Sequence, residues 1–356
     1  MSVFGQKLHC SMYAGMSGPG FYRIIAPSLT MESMFKNKYR FCDSASSNHD
    51  DYYLKYCDSF RVQRLYTSNY KEWYDYLLGK SKEYGFSIIY DVDDILFYDD
   101  IPVYNWLKPG FFHAEALIDY YMTHADKITT TNMFLANYYA SKLDIPIDRF
   151  IVIPNYIPKW WYGSFYDVNK SVDNYKRNKK RPRIVICCDK SHVDYDFRNN
   201  GVDDFTHISD WIIENRHKYQ FVLVGCIPYF AKRFIKDFEV YPGTHILGYP
   251  SYRKSLDANL YIQPLQHSLF NYAKSNIKQL EAWADGVPIL TQDTPNYTAF
   301  DERNCFADAN ELDKSVSTYF NNLSLYKDTI IDNKKKLNSF WLENNISKWE
   351  SVLNGK

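Results

Sequence analysis

The chain has 356 residues, which is enough for one large domain or two ordinary ones, each with its own core. Lys and Arg together number 42, as do Asp and Glu, so no overall charge draws the protein to nucleic acid or to an anionic membrane. No run of about 18 apolar residues occurs, and the N-terminus lacks a basic region followed by a long apolar stretch. We therefore expect an unexported, cytoplasmic protein with no membrane partner.

Seven cysteines are scattered along the chain without a C-x-x-C pair. An odd, dispersed set argues for reduced thiols and against both a disulfide scaffold and a zinc knuckle. Aromatic residues make up 18% of the chain, including 33 Tyr, which supplies many side chains able to stack on rings or line sugar pockets.

The first chemical motif is the glycine-bearing loop "YAGMSGPGFYR" near the first predicted strand. Gly18 and Gly20 would let the backbone approach a ligand, and Arg23 could meet a phosphate. The loop matches neither G-x-G-x-x-G nor a Walker P-loop, so a plain tight turn remains an alternative.

The second motif is "SIIYDVDDILF", a predicted buried strand that ends in an acidic turn. Asp91, Asp93 and Asp94 resemble the D-x-D of metal-dependent sugar transferases. We favour Asp93 or Asp94 as a catalytic base or as an acceptor of a hydroxyl hydrogen bond, with no metal required. A capping or ion-paired aspartate would give the same pattern.

Strands alternate with helical segments on both sides of a polar, basic stretch, which predicts two α/β domains with parallel sheets. The stretch carries six Lys or Arg between Lys176 and Arg183 and has neither a helical nor a strand period. The predicted organisation is an acceptor-side domain, a basic aromatic linker, a nucleotide-sugar-binding domain and C-terminal helices, at residues 1–158, 159–183, 184–330 and 331–356. Two Rossmann-like domains of this kind would enclose a ligand cleft at the carboxyl ends of their strands.

Two stretches of the second half place polar side chains at that cleft. The loop "CDKSHVDYD" follows a predicted strand and offers Lys190, Ser191 and His192, although it also fits an ordinary polar loop. The stretch "NYAKSNIKQLEAWADGVPIL" reads as a helix capped by Ser275 and stopped by Gly286, followed by a strand.

Charged residues share one face of that helix, because they are spaced by four and three residues. Lysines beside a helix N-terminus suit a diphosphate, and a carboxylate further along could accept from sugar hydroxyls. A solvated helix whose glutamate pairs with a lysine is an equal alternative. The polar residues of this stretch in the predicted donor-binding set are Asn271, Lys274, Ser275, Lys278 and Glu281.

From residue 85 to residue 300 the chain resembles the two-domain GT-B glycosyltransferases of the retaining nucleotide-sugar families. The motifs are "VIPNYIP", "FVLVG", "HILGYPSY", "LYIQPL" and "KSNIKQLEAWADGVPIL", in that order. The resemblance implies that Glu281 holds the donor ribose, that basic residues hold the diphosphate, and that Tyr249 belongs to the donor site. The E-x7-E pattern of these families is incomplete, because Ala273 stands eight residues before Glu281.

The motifs "FYRIIAP", "YDVDDIL" and N-x-x-K-S-x-x-K-x-x-E resemble a subgroup, similar to glycosyltransferase family 4, that occurs in bacterial surface-glycan clusters and phage genomes. This implies sugar transfer with retention from a nucleoside diphosphate sugar, expected to be UDP-linked, to a hydroxyl acceptor. Lys274, Ser275 and the helix N-terminus would stabilise the departing diphosphate.

Hydroxymethylated cytosine in phage DNA is our expected acceptor. The Asn, Lys and Tyr content suggests an AT-rich genome, and the basic run "KRNKKRPR" with Trp160, Trp161 and Tyr162 could meet a DNA backbone and an extruded base. A surface glycan is the alternative acceptor. A sugar-nucleotide epimerase of the same fold and a non-catalytic sugar- or nucleic-acid-binding module also remain open.

Overall fold

The computed structural model describes residues 5–47, 50–163 and 167–355, and they form two parallel six-stranded sheets with helices around them. The first sheet has the strand order β2-β1-β3-β4-β5-β6, and the second has the order β12-β11-β10-β7-β8-β9. Each sheet is crossed by helices that return the chain to its starting edge, as parallel pairing requires. The predicted α/β fold of two Rossmann-like domains is confirmed.

The strands are short, and those inside each sheet are buried, while the edge strands are more exposed. They are β1 Lys7–Met12, β2 Tyr39–Ser44, β3 Cys57–Gln63, β4 Ser87–Val92, β5 Lys127–Thr130, β6 Phe150–Val152, β7 Arg183–Cys188, β8 Gln220–Gly225, β9 Glu239–Tyr241, β10 Leu260–Gln263, β11 Ile289–Gln292 and β12 Cys305–Phe306.

The α-helices connect and cover these strands. They are α1 Gly18–Gly20, α2 Ala26–Met34, α3 Asp51–Lys55, α4 Lys71–Tyr84, α5 Glu115–His124, α6 Met133–Leu143, α7 Lys159–Tyr162, α8 Val168–Arg177, α9 Ser209–Asn215, α10 Tyr229–Lys232, α11 Tyr249–Ser255, α12 Leu269–Tyr272, α13 Ile277–Asp285, α14 Pro295–Asp301, α15 Ala309–Asn321, α16 Leu323–Leu337 and α17 Leu342–Asn354. A π-helical turn, Phe21–Ile25, joins α1 to α2.

Helix α17 returns from the second half of the chain to the first domain. Its apolar residues Leu342, Ile346 and Trp349 recur at helical spacing and are buried against α2 and the first sheet. Glu350 of α17 accepts a hydrogen bond of 2.6 Å from Lys38, at the start of β2. The last helix therefore packs on the first domain. In the predicted organisation it belonged to a separate C-terminal segment, residues 331–356.

The structure differs from the sequence pattern at three places. The predicted linker contains α7 and α8, with residues 164–166 outside the described residues. The apolar composition of "THILGYP" is typical of a strand, but this stretch holds a 3-10 turn and the start of α11, where Pro250 suits the first helical turn. Ser275 was expected to cap a helix, but α13 follows Asn276 and the Ser275 hydroxyl bonds elsewhere.

Candidate functional site

Side chains from the carboxyl ends of both sheets meet between the two domains. Asn132 follows β5 and donates a hydrogen bond of 2.8 Å to the carbonyl oxygen of Ala273, which follows α12. Asn155 follows β6 and donates one of 2.9 Å to the hydroxyl of Ser275. These contacts place the loop between α12 and α13 against the first domain and define the cleft floor.

An ion pair joins Asp94, a predicted catalytic base, to Lys274, which is predicted to bind the diphosphate. The Nζ of Lys274 lies 3.0 Å from Oδ2 of Asp94, and both side chains are mostly buried. Arg64, at the end of β3, donates to the same Oδ2 at 3.2 Å. The other oxygen of Asp94, Oδ1, is buried without a hydrogen-bond partner among the described residues. A buried carboxylate oxygen of this kind is open to a hydroxyl donor.

Asp93 faces the same arginine. Its Oδ1 accepts from Nε of Arg64. Burial raises the pKa of Asp93 above its ordinary value, and the neighbouring carboxylates of Asp94 and Asp91 add to this effect, whereas Arg64 opposes it. The structure thus brings Asp93 and Asp94 to the cleft around one cation.

Glu281 is the centre of a second cluster, on the face of α13 that points towards the first domain. Its Oε1 accepts 2.9 Å from the hydroxyl of Tyr22, and its Oε2 accepts from Tyr249, Lys278 and Arg253 at 3.1 to 3.2 Å. Burial alone would raise the pKa of Glu281, but the cations of Lys278 and Arg253 hold it below its usual value. Glu281 is therefore an ionised carboxylate with both oxygens engaged in hydrogen bonds.

The same cluster shifts the titration of its other members. Burial raises the pKa of Tyr249 to about 12, with the charge of Glu281 adding to the effect. Burial opposes the charge of Lys278, but the carboxylate of Glu281 raises the pKa of Lys278 well above its usual value. All three groups keep their ordinary charge states at neutral pH.

A third cluster lies around Asp204, which is 1% exposed. Its Oδ1 accepts from Tyr104 of the first domain at 2.6 Å and from Nδ2 of Asn271 at 2.7 Å. Its Oδ2 lies 2.7 Å from Nδ1 of His192. The structure thus joins two predicted donor-binding residues, His192 and Asn271, through the carboxylate of Asp204, which lies in the loop before α9.

Other predicted residues lie at varying distances from these clusters. Arg23 is completely buried, its guanidinium donates to Asp91 at 2.7 Å, and its pairing inside the first domain leaves it away from the cleft surface. Ser191 is buried and bonds to Asp189 in its own loop. Lys190 is exposed, with its ammonium 4.3 Å from the centroid of the Tyr195 ring.

The two glycines of the first loop differ. A Cβ on Gly20 would lie 2.1 Å from the carbonyl oxygen of Gly15, whereas a Cβ on Gly18 would meet nothing within 4 Å. Gly20 therefore permits a close approach of backbone to backbone, where the sequence reading had expected an approach to a ligand.

The residues suggested for DNA contact lie in different parts of the structure. The basic run reaches from the end of α8 to the first residue of β7, and so lies at the amino end of the second sheet, opposite the cleft. Trp161 packs on Phe21, with ring centroids 4.4 Å apart, and Tyr162 is buried. Trp160 remains half exposed. Contact of these groups with DNA stays a prediction, with the basic run and the aromatic residues on different parts of the fold.

Several site residues were missed by sequence reasoning. Tyr22, Arg64, Tyr104, Arg253 and Asp204 all bond to predicted site residues. Only Tyr22 stood inside a motif that had been singled out, "FYRIIAP". The other contacts join residues between 12 and 167 positions apart in the chain, so no local pattern marks them.

Among the described ranges, no group of three or more His, Cys, Asp or Glu is arranged to hold a metal ion. Within the same ranges, no helix is both long and apolar enough to cross a bilayer.

No family model matches the chain, and no curated protein matches it. Solved structures do. A glycosyltransferase from Rickettsia africae is 14% identical with a TM-score of 0.60, and 98% of each chain is covered. HepE from Anabaena in complex with UDP is 10% identical with a TM-score of 0.61, again with 98% of each chain covered. An E. coli protein named for trehalose-6-phosphate, bound with UDP-2-fluoro glucose, is 10% identical with a TM-score of 0.57, and 98% of this chain and 99% of that one are covered. The chain therefore has the fold of GT-B glycosyltransferases along almost its whole length.

Proposed function

We propose that the protein is a glycosyltransferase that moves a sugar from a nucleoside diphosphate sugar, UDP-linked, to a hydroxyl acceptor. One observation carries the proposal: at the carboxyl ends of both sheets, Lys274 of the second domain pairs with Asp94 of the first, and the ionised Glu281 of the second domain accepts from Tyr22 of the first. The structures of similar fold that hold UDP or UDP-2-fluoro glucose support the choice of donor.

The cleft clusters fit the two ends of such a donor. Lys274, together with the N-terminus of α13, would neutralise the charge that grows on the diphosphate as its bond to the anomeric carbon breaks. Glu281 would accept hydrogen bonds from the ribose hydroxyls after exchanging the Tyr22 hydroxyl for them. The bound nucleotide would thus replace contacts that side chains of the two domains make with each other.

We infer transfer with retention. The acceptor oxygen forms a bond to the anomeric carbon on the face from which the diphosphate leaves, and the acceptor proton passes to a departing phosphate oxygen. Asp94 would position the acceptor hydroxyl through its unpartnered Oδ1, and no enzyme nucleophile is needed.

A glycan hydroxyl is the acceptor that the geometry supports best. The DNA acceptor was expected from the basic run and from Trp160 to Tyr162, but the run lies at the amino end of the second sheet, Tyr162 is buried and Trp161 packs on Phe21. Hydroxymethylated DNA keeps only the support of the family resemblance.

Radiolabelled UDP-glucose and other UDP sugars, offered with neutral oligosaccharides, hydroxymethylcytosine DNA and unmodified DNA, test the proposal. Label should enter oligosaccharide products with the donor's anomeric configuration, as read by NMR. Lys274→Ala should abolish most transfer, whereas Lys82→Ala, exposed on α4, should not change it. Label in the modified DNA alone would restore the DNA acceptor, and interconversion of donor sugars without acceptor would identify an epimerase.

A further inference from the structure

Four aromatic side chains lie exposed beside the cleft mouth, and we call them the aromatic rim: Trp106, Tyr195, Phe197 and Tyr229. Each is between 45% and 48% exposed, which is unusual for such large apolar rings. Clusters of exposed aromatic rings mark binding surfaces more often than single exposed rings do. The rim belongs to none of the three clusters described above.

Both domains contribute to the rim. Trp106 lies two residues after Tyr104, whose hydroxyl reaches across the cleft to Asp204. The ammonium of Lys190, on the second domain, lies 5.8 Å from the centroid of the Trp106 ring and 4.3 Å from that of Tyr195. Trp106 and Tyr195 therefore occupy one patch that spans the cleft mouth.

The rim is held in place rather than loosely displayed. The buried carboxylate of Asp194 accepts from the backbone N–H groups of Arg198, Asn199 and Gly201 at 2.7 to 3.1 Å, which fixes the turn that carries Tyr195 and Phe197. Phe197 has a φ of 59°, a left-handed conformation that a bulky residue rarely adopts. Backbone strain that displays an aromatic ring in this way is typical of functional sites.

Phe197 pairs with a second ring of the aromatic rim. Its ring centroid lies 4.1 Å from that of Tyr229 at the start of α10. Offset aromatic surfaces of this kind suit a flat ligand with an apolar face. A pyranose ring presents such a face, made of C–H bonds, while its hydroxyls remain free to reach polar neighbours.

The charge of the same loop selects among flat ligands. Residues 188–205 contain five Asp against one Lys and one Arg. Arg198 is paired with Asp196 at 2.8 Å. A phosphodiester backbone would be repelled by this excess of carboxylates, since phosphate contacts dominate nucleic-acid affinity. A neutral saccharide pays no such penalty.

We propose that the aromatic rim binds the neutral saccharide acceptor by stacking on its pyranose rings, next to the bond-forming site. This inference rests on the proposed function for the identity of the acceptor. Its core, saccharide binding at the rim, does not depend on transfer and can be measured without a donor.

The test compares wild-type protein with Trp106→Ala, Phe197→Ala and Trp106→Phe, which keeps an aromatic ring. The matched control is Phe112→Ala, 61% exposed on the same segment between β4 and α5, with its ring against Tyr98 and His113. Neutral oligosaccharides of glucose, galactose and N-acetylglucosamine, and a single-stranded oligonucleotide, serve as probes in saturation-transfer NMR titrations. Thermal melts check that each variant is folded, and calorimetry with UDP checks the donor site.

We expect at least one oligosaccharide to bind wild-type protein, with affinity lowered roughly tenfold or more by Trp106→Ala and by Phe197→Ala. Trp106→Phe should recover most of the loss, and Phe112→Ala should stay within twofold. UDP affinity should be the same in all five proteins. If the Ala variants at the rim lose UDP affinity as well, their effect is structural and the inference fails.

Other outcomes also overturn it: no saccharide bound by the wild type, equal binding by the rim variants, or preference for the oligonucleotide. Saccharide binding at the rim in a protein that neither binds UDP nor transfers sugar would leave the inference standing and remove the proposed function. The two failures are therefore distinguishable.

Discussion

The carboxylate of Asp94 competes with the diphosphate of the donor for the ammonium group of Lys274. A diphosphate that binds Lys274 must displace the Oδ2 of Asp94, which lies 3.0 Å from the lysine Nζ. We therefore predict that Asp94→Asn tightens donor binding while it lowers turnover, because the asparagine cannot hold the lysine but also cannot serve the acceptor as a carboxylate does. A residue that merely ligates the donor would behave in the opposite way.

The magnitude follows from the geometry. At 3.0 Å and an effective dielectric constant of about 20, the gross attraction is about 5 kcal/mol. Desolvation of both groups, which are only 18% and 15% exposed, and the second cation at Arg64 reduce the net value to about 1 kcal/mol. Asp94→Asn should thus strengthen donor binding by about 1 kcal/mol, roughly fivefold.

Removal of the lysine gives the reverse result. Lys274→Ala should weaken donor binding by about 1.5–3 kcal/mol, as expected for a charge-assisted hydrogen bond. In the double variant, Asp94→Asn should no longer improve affinity, because its partner is gone. Calorimetry with UDP and a UDP sugar, at one fixed salt concentration, measures all four proteins.

Two results would refute this reasoning. The first is an Asp94→Asn variant that binds the donor as poorly as Lys274→Ala does. The second is an Asp94→Asn effect of equal size with and without Lys274. If EDTA abolished activity and manganese restored it in the wild type alone, Asp94 would instead be acting as a metal ligand on the donor.

Three further predictions concern other buried contacts. Glu281→Gln should weaken UDP binding, and it should lower the free energy of unfolding by about 3 kcal/mol because it leaves Lys278 without its carboxylate. An unchanged UDP affinity in calorimetry and an unchanged denaturant midpoint would contradict this. Burial, assisted by the charge of Arg61, lowers the pKa of His9 to about 3, so the neutral form is favoured in the fold. Stability should therefore be full above the unfolded pKa of about 6.5 and should fall as pH drops from there towards 3, and His9→Gln should flatten that slope in melts from pH 7.5 to 4.5. Gly20→Ala should cost about 1–3 kcal/mol in denaturant titrations because its Cβ would meet a backbone oxygen at 2.1 Å, whereas Gly18→Ala, in open space, should cost less than about 1 kcal/mol.

Much of the fold could be predicted because its signals are local. Buried runs such as those of β4 and β8 are short and rich in branched residues, and they alternate with helical segments, which implies parallel pairing. Gly286 was expected to end a helix, and it does so with a φ of 74°. These patterns depend only on neighbours within a few residues.

The two failures have different causes. Helix α8 carries Val168, Val172 and Tyr175 at helical spacing, but only Tyr175 is buried, and the basic residues around them led to its interpretation as an irregular linker. The stretch before α11 has the apolar composition of a strand, but its backbone turns into a helix that places Arg253 beside Glu281. In this second case the decisive contacts lie outside the window in which periodicity can be read.

The residues of the candidate site could be predicted from their positions at strand ends and on a helix face. The partner that each residue bonds to could not be predicted. Lys274, Glu281 and Asp94 were singled out from helical spacing and strand position, and each proves to touch the cleft. Their partners Tyr22 and Arg64 come from the other domain or from another strand. Which cation meets which carboxylate is fixed by the docking of the two domains, and that information is spread over both interfaces.

The incomplete E-x7-E pattern becomes intelligible in the same terms. Ala273 is completely buried and belongs to the hydrophobic core of the first domain, although it lies in the second half of the chain. Its carbonyl oxygen accepts from Asn132, so the backbone at this point is a domain contact. A glutamate here would bury a charge among apolar groups, at a cost that only an ion pair could offset. The methyl group thus favours close docking of the two domains, and under the proposed function the polar contacts to a donor sugar would come from the neighbouring clusters around Asp204 and Asp94.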